Sequence, residues 1–248
     1  MSDEFATRVA LVNAAAGSGI GSAVVRALLE RGVRVMATDR SERRLARLRE
    51  AMETRFGADC LEIRTADASD ESAVRRSIED TKAVFGQLDM LVNNVGFNAL
   101  STLSNTDLTA WHGVLDGCLT SHFLHIKHAW PYLLEADYPC VVNISSLAAE
   151  SPTAMGEAAY AAAKAGVLGL TRAAAAEGAP LIRVNAVMAG LIWNDNLARG
   201  IPEDYIDRYR AALPLQRPGT PEEVAQTVLY ACSRASANTT GAVLRVAC

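Results

Sequence analysis

Short apolar runs alternate with longer amphipathic ones along nearly the whole chain. Arg8–Asn13 (RVALVN) reads as a buried strand, followed by a glycine turn and a helix over Gly21–Arg31. Val33–Thr38 predicts a second strand, and Ser41–Phe56, rich in Arg, Leu and Glu, a second helix. Leu61–Thr65 and Leu88–Asn93 predict strands three and four, separated by a helix over Glu71–Phe85. A long helical stretch over Leu108–Leu134 precedes a fifth strand at Cys140–Ser145. An alanine-rich helix carrying Tyr160 follows, then a sixth strand at Ile182–Val187. Pro202 and Pro214 punctuate Asp195–Ala212, which reads as a helical part of a substrate flap around 191–214. Pro221–Cys232 and Ala242–Val246 complete the pattern as a last helix and a last strand. Near-continuous apolar strands alternating with helices need a parallel sheet covered on both faces. The predicted fold class is therefore α/β, a doubly wound parallel sheet of seven strands with helices on both faces. No repeat, linker or break in composition divides it, so residues 1–248 read as one domain.

Composition adds exclusions more than it adds function. With 248 residues and 50% apolar content the chain can bury one large core. A net charge of -4 gives no electrostatic case for nucleic acid or acidic membranes. No apolar run is long enough for a membrane span, and MSDEFATR has no apolar signal core. Five cysteines without CxxC spacing fit scattered reduced thiols in a cytoplasmic protein, and argue against a zinc site. His112, His122, His125 and His128 fall in one helical stretch, but no carboxylate converges on them in sequence. Surface or subunit-interface packing is the expectation there, and no metal is expected.

Candidate chemistry centres on Tyr160 and Lys164, four residues apart and so on one helix face. An ammonium about 4 Å from a phenol is worth roughly 4 kcal/mol at a protein surface. That is about three pKa units, which would bring the tyrosine near working pH. Ser146, at the end of the preceding strand, could hold a substrate oxygen against the phenol. Upstream, the turn Ala14–Gly21 between the first strand and first helix points backbone N–H groups and a helix dipole at a phosphate. Asp39, eighteen residues past Gly21, ends the second strand, where an acid accepts hydrogen bonds from ribose hydroxyls. That favours NAD; the neighbouring Arg40 leaves NADP open, since an arginine accommodates a 2′-phosphate.

These segments join others in a fixed order: GSGIG at Gly17–Gly21, Asp67-Ala68, NNVG at Asn93–Gly96, NISS at Asn143–Ser146, YAAAK at Tyr160–Lys164 and RVNAV at Arg183–Val187. Over essentially its whole length the chain resembles the short-chain dehydrogenase/reductase family, whose fold is of the Rossmann type. The resemblance implies an NAD(P)-dependent oxidoreductase interconverting a secondary alcohol and a ketone, with a small carbonyl or alcohol substrate. It implies Tyr160 as general acid/base, Ser146 orienting the substrate oxygen, and Lys164 lowering the tyrosine pKa and holding the nicotinamide ribose. Its cofactor-binding positions fall on Asn13, Gly17, Ser18, Ile20, Asp39, Arg40, Asp67, Ala68, Asn94, Lys164 and Ile192. It also implies a homotetramer or homodimer built through the long fourth and fifth helices, and the small-residue surface of Ala158–Ala176 would permit close packing.

Departures from the family pattern concern the surroundings of the triad. The Thr-Gly that usually opens the phosphate loop is Ala14-Ala15 counted back from Gly19, or Asn13-Ala14 counted forward from the strand. Aligning Val114–Phe123 places Cys118 where an asparagine usually supports a proton-relay water. Ala189-Gly190 replaces Pro-Gly after the sixth strand, and Val95 replaces the alanine of NNAG. They motivate an alternative, a non-redox dehydration, isomerisation or cyclisation using the same phenol. A non-catalytic subunit is a third reading, disfavoured by the intact triad. Trp193, Leu191, Met188 and the loop Leu147–Ala159 are expected to line an apolar substrate pocket, and Trp111 and Trp130 to anchor the core or an interface.

Overall fold

The computed structural model describes residues 4–152, 156–194 and 213–247. The first half comprises β1 (Val9–Val12), α1 (Ile20–Leu29), β2 (Arg34–Asp39), α2 (Glu42–Phe56), β3 (Leu61–Thr65), α3 (Glu71–Phe85) and β4 (Met90–Asn93). The second half comprises α4 (Leu108–Leu115), α5 (Ser121–Leu133), β5 (Cys140–Ser146), α6 (Ala158–Gly178), β6 (Arg183–Ala189), α7 (Pro221–Cys232) and β7 (Val243–Val246). The expected flap over Asp195–Ala212 lies outside the described residues.

Strand periodicity explains the two-sided core. Along β1, Ala10 and Val12 point into one apolar cluster with residues of α1, α2 and α7, while Val9 and Leu11 point into another with residues of α3, α5 and α6. Both faces are therefore covered, which is why VALV carries no polar alternation. The sheet is wholly parallel in the order β3-β2-β1-β4-β5-β6-β7. The direction of strand addition reverses between β1 and β4, and the crevice outside the carboxyl ends at such a reversal is where ligands bind in open α/β sheets.

Amides stitch that carboxyl edge together. Asn13 Nδ2 donates to Asn93 Oδ1 (2.7 Å), Asn93 Nδ2 to Asn143 Oδ1 (2.8 Å), and Asn143 Nδ2 to Thr171 Oγ1 in α6 (3.0 Å). All four residues are buried, and an unpaired amide here would cost roughly 1–3 kcal/mol. The chain of bonds fixes the ends of β1, β4 and β5 relative to the helix that carries Tyr160.

One element differs from expectation. Leu108–Leu134 is not one α-helix, because a π turn at Asp116–Thr120 separates α4 from α5. Ser121 N–H reaches back to Asp116 O, and Ser121 Oγ donates to Gly117 O at 2.6 Å. The widened turn presents the Cys118 thiol to the loop after β4, where it accepts from Phe97 N–H (3.3 Å) and donates to Phe97 O (3.2 Å). Such turns concentrate at functional sites. Among the described residues no helix is long and apolar enough to cross a membrane.

Candidate active site

A groove of about 660 Å³ runs along the carboxyl edge of the sheet. At one end it is lined by Asp39, Arg40, Arg44, Asp67 and Ala68, and at the other by Ser146, Tyr160 and Lys164. Gly19 and Ile20 lie between them at the start of α1. That helix has no side-chain cap and no acid in its first turn, so its first N–H groups are open to an anion in the groove. Gly21 is required by crowding: a Cβ there would lie 2.3 Å from Ala14 O and 2.9 Å from Ala15 Cα. These features fit the pyrophosphate of a dinucleotide.

Asp39 is nearly buried at the end of β2. Its Oδ1 accepts from Ser41 N–H and from Arg44 Nη2, both at 2.9 Å, and its Oδ2 is 3.4 Å from Ala16 N. The carboxylate thus has one oxygen anchored and the other facing the phosphate turn. Asp67 Oδ1 accepts from Ser69 N–H (2.9 Å) and Oγ (2.6 Å), which hold its pKa below the ordinary value.

At the far end, Ser146 terminates β5 opposite Ala189, and its hydroxyl is hydrogen-bonded to the Tyr160 phenol. Lys164 is fully enclosed, its Nζ donating to Val95 O (3.0 Å) and Ile144 O (2.9 Å) and lying 5.8 Å from the Tyr160 ring centre. Ser145 Oγ donates to Lys164 O at 2.9 Å and pins this turn of α6 to β5. A side chain at Gly96 would begin 3.1 Å from Lys164 Nζ, so glycine lets the loop after β4 approach the lysine without displacing its ammonium.

The order of residues and the geometry now agree with what the chain is similar to. Residues 14–248 match the family model described as enoyl-(acyl carrier protein) reductase. The chain is 40% identical to the cis-4-hydroxycyclohexanecarboxylate dehydrogenase of Sinomonas cyclohexanicum, over 99% of this chain and 97% of that one. It is 32% identical to the 3-oxoacyl-(acyl-carrier-protein) reductase of Aquifex aeolicus, over 92% of this chain and 91% of the relative. A solved short chain dehydrogenase from Mycobacterium smegmatis superimposes with a TM-score of 0.85 at 31% identity, over 99% and 94% of the two chains. The chain belongs to the short-chain dehydrogenase/reductase family. It is an NAD(P)-dependent oxidoreductase acting on hydroxyl and ketone groups, and nothing in the comparisons favours the non-redox alternative.

Within this dehydrogenase, Ile20, Asp39, Arg40, Asp67, Ala68, Asn94, Lys164 and Ile192 all line the groove. Three expected cofactor positions do not. Gly17 and Ser18 open onto an adjoining pocket with Arg43 and Arg47. Asn13 is buried and spends its Oδ1 on the N–H groups of Asn94 (2.7 Å) and Val95 (3.2 Å), which makes it a scaffold of the loop after β4. Ala14 has φ +46°, so an alanine occupies a left-handed position where glycine is favoured.

The expected lowering of the tyrosine pKa is also reversed. Burial pushes Tyr160 up to about 12, against a smaller downward pull from the Ser146 hydrogen bond. Desolvation also brings Lys164 down to about 8, so the cavity disfavours charge on both partners. The pull of an ammonium at a protein surface is outweighed here by burial. Met188 is sealed among Leu168 and Ala186 and does not line the groove, and neither does Trp193; Leu191 does. His122 and His125 are buried within the subunit instead of facing outward, and burial lowers both pKa values; His128 pairs with Glu71 at 2.9 Å. Trp130 packs on the core side containing α3, α5 and α6, and Trp111 on a cluster between α4 and α6. Arg44 was not among the residues expected at the site, although its place five residues after Asp39 brings it back over that acid.

Proposed function

We propose that this enzyme interconverts a secondary alcohol and a ketone with NAD as the preferred nucleotide, using Tyr160 as general acid/base. The observation carrying the reading is the meeting of Ser146, Tyr160 and Lys164 in one groove with Asp39 and the uncapped start of α1. The nicotinamide, when bound, supplies or accepts the hydride. Ser146 and Tyr160 offer two hydroxyls to the substrate oxygen, on which negative charge develops during reduction. Tyr160 gives that oxygen a proton in reduction and takes it back in oxidation. Lys164 holds the ribose on the nicotinamide side. Asn94 and Ile192 flank the groove as binding positions, while Asp67 and Ala68 close the adenine end. Asp39 accepts from the adenosine ribose and repels a 2′-phosphate.

The relative from Sinomonas acts on a ring alcohol bearing a carboxylate. Cyclohexanone-type ketones are therefore the first substrate class for this enzyme. It works in the cytoplasm as a homotetramer or homodimer. Titration with NADH and NADPH by fluorescence, followed by assay of a panel of cyclic ketones, tests the reading. NADH is expected to bind more tightly than NADPH, and binding of neither would overturn it.

A further inference from the structure

With Met188 and Trp193 away from the groove, Phe97 is the aromatic side chain that lines it besides Tyr160, among the described residues. Phe97 is 43% exposed. Exposure by itself would mean little, since single apolar side chains are often left in water. What sets this ring apart is how it is held.

The Cys118 thiol is fully buried, accepts from Phe97 N–H at 3.3 Å and donates to Phe97 O at 3.2 Å. Both backbone groups of Phe97 are thus tied to one side chain of the π turn. Its ring rests on the same turn: a Cβ at Gly117 would begin 2.3 Å from Phe97 Cε1 and 3.1 and 3.2 Å from Cδ1 and Cζ. Gly117 has no positive φ, so what glycine supplies there is room for the ring. The residue before Phe97 runs beside the phenol, since a Cβ at Gly96 would lie 3.9 Å from Tyr160 Oη. Val95, one residue earlier, accepts from Lys164 Nζ through its carbonyl. The loop therefore fixes an exposed aromatic face next to the hydroxyl that meets the substrate oxygen.

We propose that Phe97 is a specificity-determining residue of this enzyme, a platform on which an alicyclic ring of the substrate lies beside Tyr160, and that Cys118 is the positioning residue that holds it there. This deepens the reading of Tyr160 as general acid/base and rests on it. A saturated ring laid on a flat aromatic face removes apolar area of both from water, and an acyclic ketone of few carbons covers less of it. Because Cys118 and Gly117 fix the platform before substrate arrives, little ordering remains to oppose binding.

Cyclohexanol is the probe, because it carries the ring and does not react with enzyme already holding NADH. Saturation-transfer NMR titration on the full chain with NADH reads its affinity apart from turnover. Wild type is expected to bind cyclohexanol, and Phe97→Ala to bind it roughly 10-fold or more weakly, the scale on which apolar pocket contacts discriminate. Gly117→Ala pushes the ring off its seat without removing it, so it should weaken cyclohexanol too, and it supplies the reading if Phe97→Ala does not fold. In reduction of cyclohexanone, Cys118→Ala should raise KM more than it lowers kcat. Cys118→Ser, whose hydroxyl can donate and accept in the same place, should restore KM; a serine variant as impaired as the alanine one would remove Cys118 from the positioning role. Cyclohexanol that binds wild type and Phe97→Ala equally, or does not bind wild type, would overturn the platform. Ring binding that depends on Phe97 without any reduction of cyclohexanone would instead overturn the ketone reading and leave the platform standing.

Discussion

At the scale of the residue, the cavity around Tyr160 and Lys164 sets the chemistry more than their mutual distance does. A phenol pushed up to about 12 stays protonated across the working range, so it is ready to donate in reduction and poor at accepting in oxidation. We expect kcat/KM for alcohol oxidation to climb from pH 7 to 10, while the protonated form of Tyr160 needed for reduction persists throughout. Parallel profiles in both directions check this, and an oxidation rate flat in pH would contradict it. Tyr160→Phe should lose roughly 10²–10⁴-fold in kcat through the missing proton transfer, with NADH binding retained in a fluorescence titration. Lys164 gives a separate signature in stability. Its folded pKa of about 8 lies below the ordinary 10.5, so the folded state releases its proton first as pH rises. Between those values the unfolded chain binds more protons, and wild-type stability therefore rises with pH. Relative to Lys164→Met, wild type should gain about 1.6 kcal/mol between pH 8 and 9.5, at ~1.36 kcal/mol per pKa unit and with the lysine half deprotonated at the lower pH. Urea denaturation at the two pH values measures the gap, and a pH-independent gap would refute a buried, neutralising lysine. The triad was legible from the spacing of Ser146, Tyr160 and Lys164. The sign of the tyrosine's shift was not, because sequence spacing fixes which side chains are neighbours but not how much water surrounds them.

At the scale of the element, strands and regular helices followed from apolar periodicity, and β3, α3 and α7 have the bounds expected. The helix over Leu108–Leu134 failed because no proline marks its break, and Asp116, Gly117 and Thr120 there also fit the polar positions of a continuous helix. The π turn at Asp116–Thr120 is accompanied by a local bond from Ser121 Oγ to Gly117 O and by the Cys118 thiol reaching Phe97, a contact that tertiary structure alone supplies. Asn13 was expected at the cofactor, but no sequence signal shows that its amide is consumed by Asn93, Asn94 and Val95. α7 shows how an element far along the chain supports the groove. Thr220 and Glu223 cap it reciprocally, and Arg217 pairs with Glu223 at 2.6 Å. Gly219 in turn exchanges backbone bonds with Leu191 (2.9 Å) and Trp193 (2.8 Å), which frame Ile192. Glu223→Ala should cost roughly 1 kcal/mol through the lost cap, a Tm drop of about 2–4 °C for a chain of this size, and should weaken NADH binding. Arg217 and the Thr220 N–H hold the Glu223 carboxyl down to about 2, below its ordinary 4.5. Its contribution is thus present above pH 4.5 and fades as pH falls toward 2, so the difference in Tm should narrow over that interval in a scanning series. A gap that widens in acid would show that the carboxylate form is not what caps α7.

At the scale of the whole molecule, one sheet edge is the groove and the remaining question is what covers the outer helices. α6 holds Tyr160 and Lys164 on its inner side, and outside it presents Ala162, Ala165, Gly169, Ala173 and Ala176, all exposed. Their spacing of three or four residues places them along one stripe, and small side chains allow helix backbones to approach closely. Phe123 on α5 is 47% exposed, an apolar ring left in water by this subunit alone. A second copy packed across α5 and α6 would cover both features while bracing the same helix that carries the candidate acid. Light scattering on the purified chain should then give a mass of two or four times 26.4 kDa. Gly169→Arg adds a long charged side chain to the middle of the stripe, with open space around it in the isolated subunit. The variant should keep its helical circular dichroism, fall to a smaller species and lose activity in step with dissociation. A wild-type protein that scatters as a monomer, or a variant that assembles unchanged, would place the interface elsewhere and leave α6 braced by its own subunit.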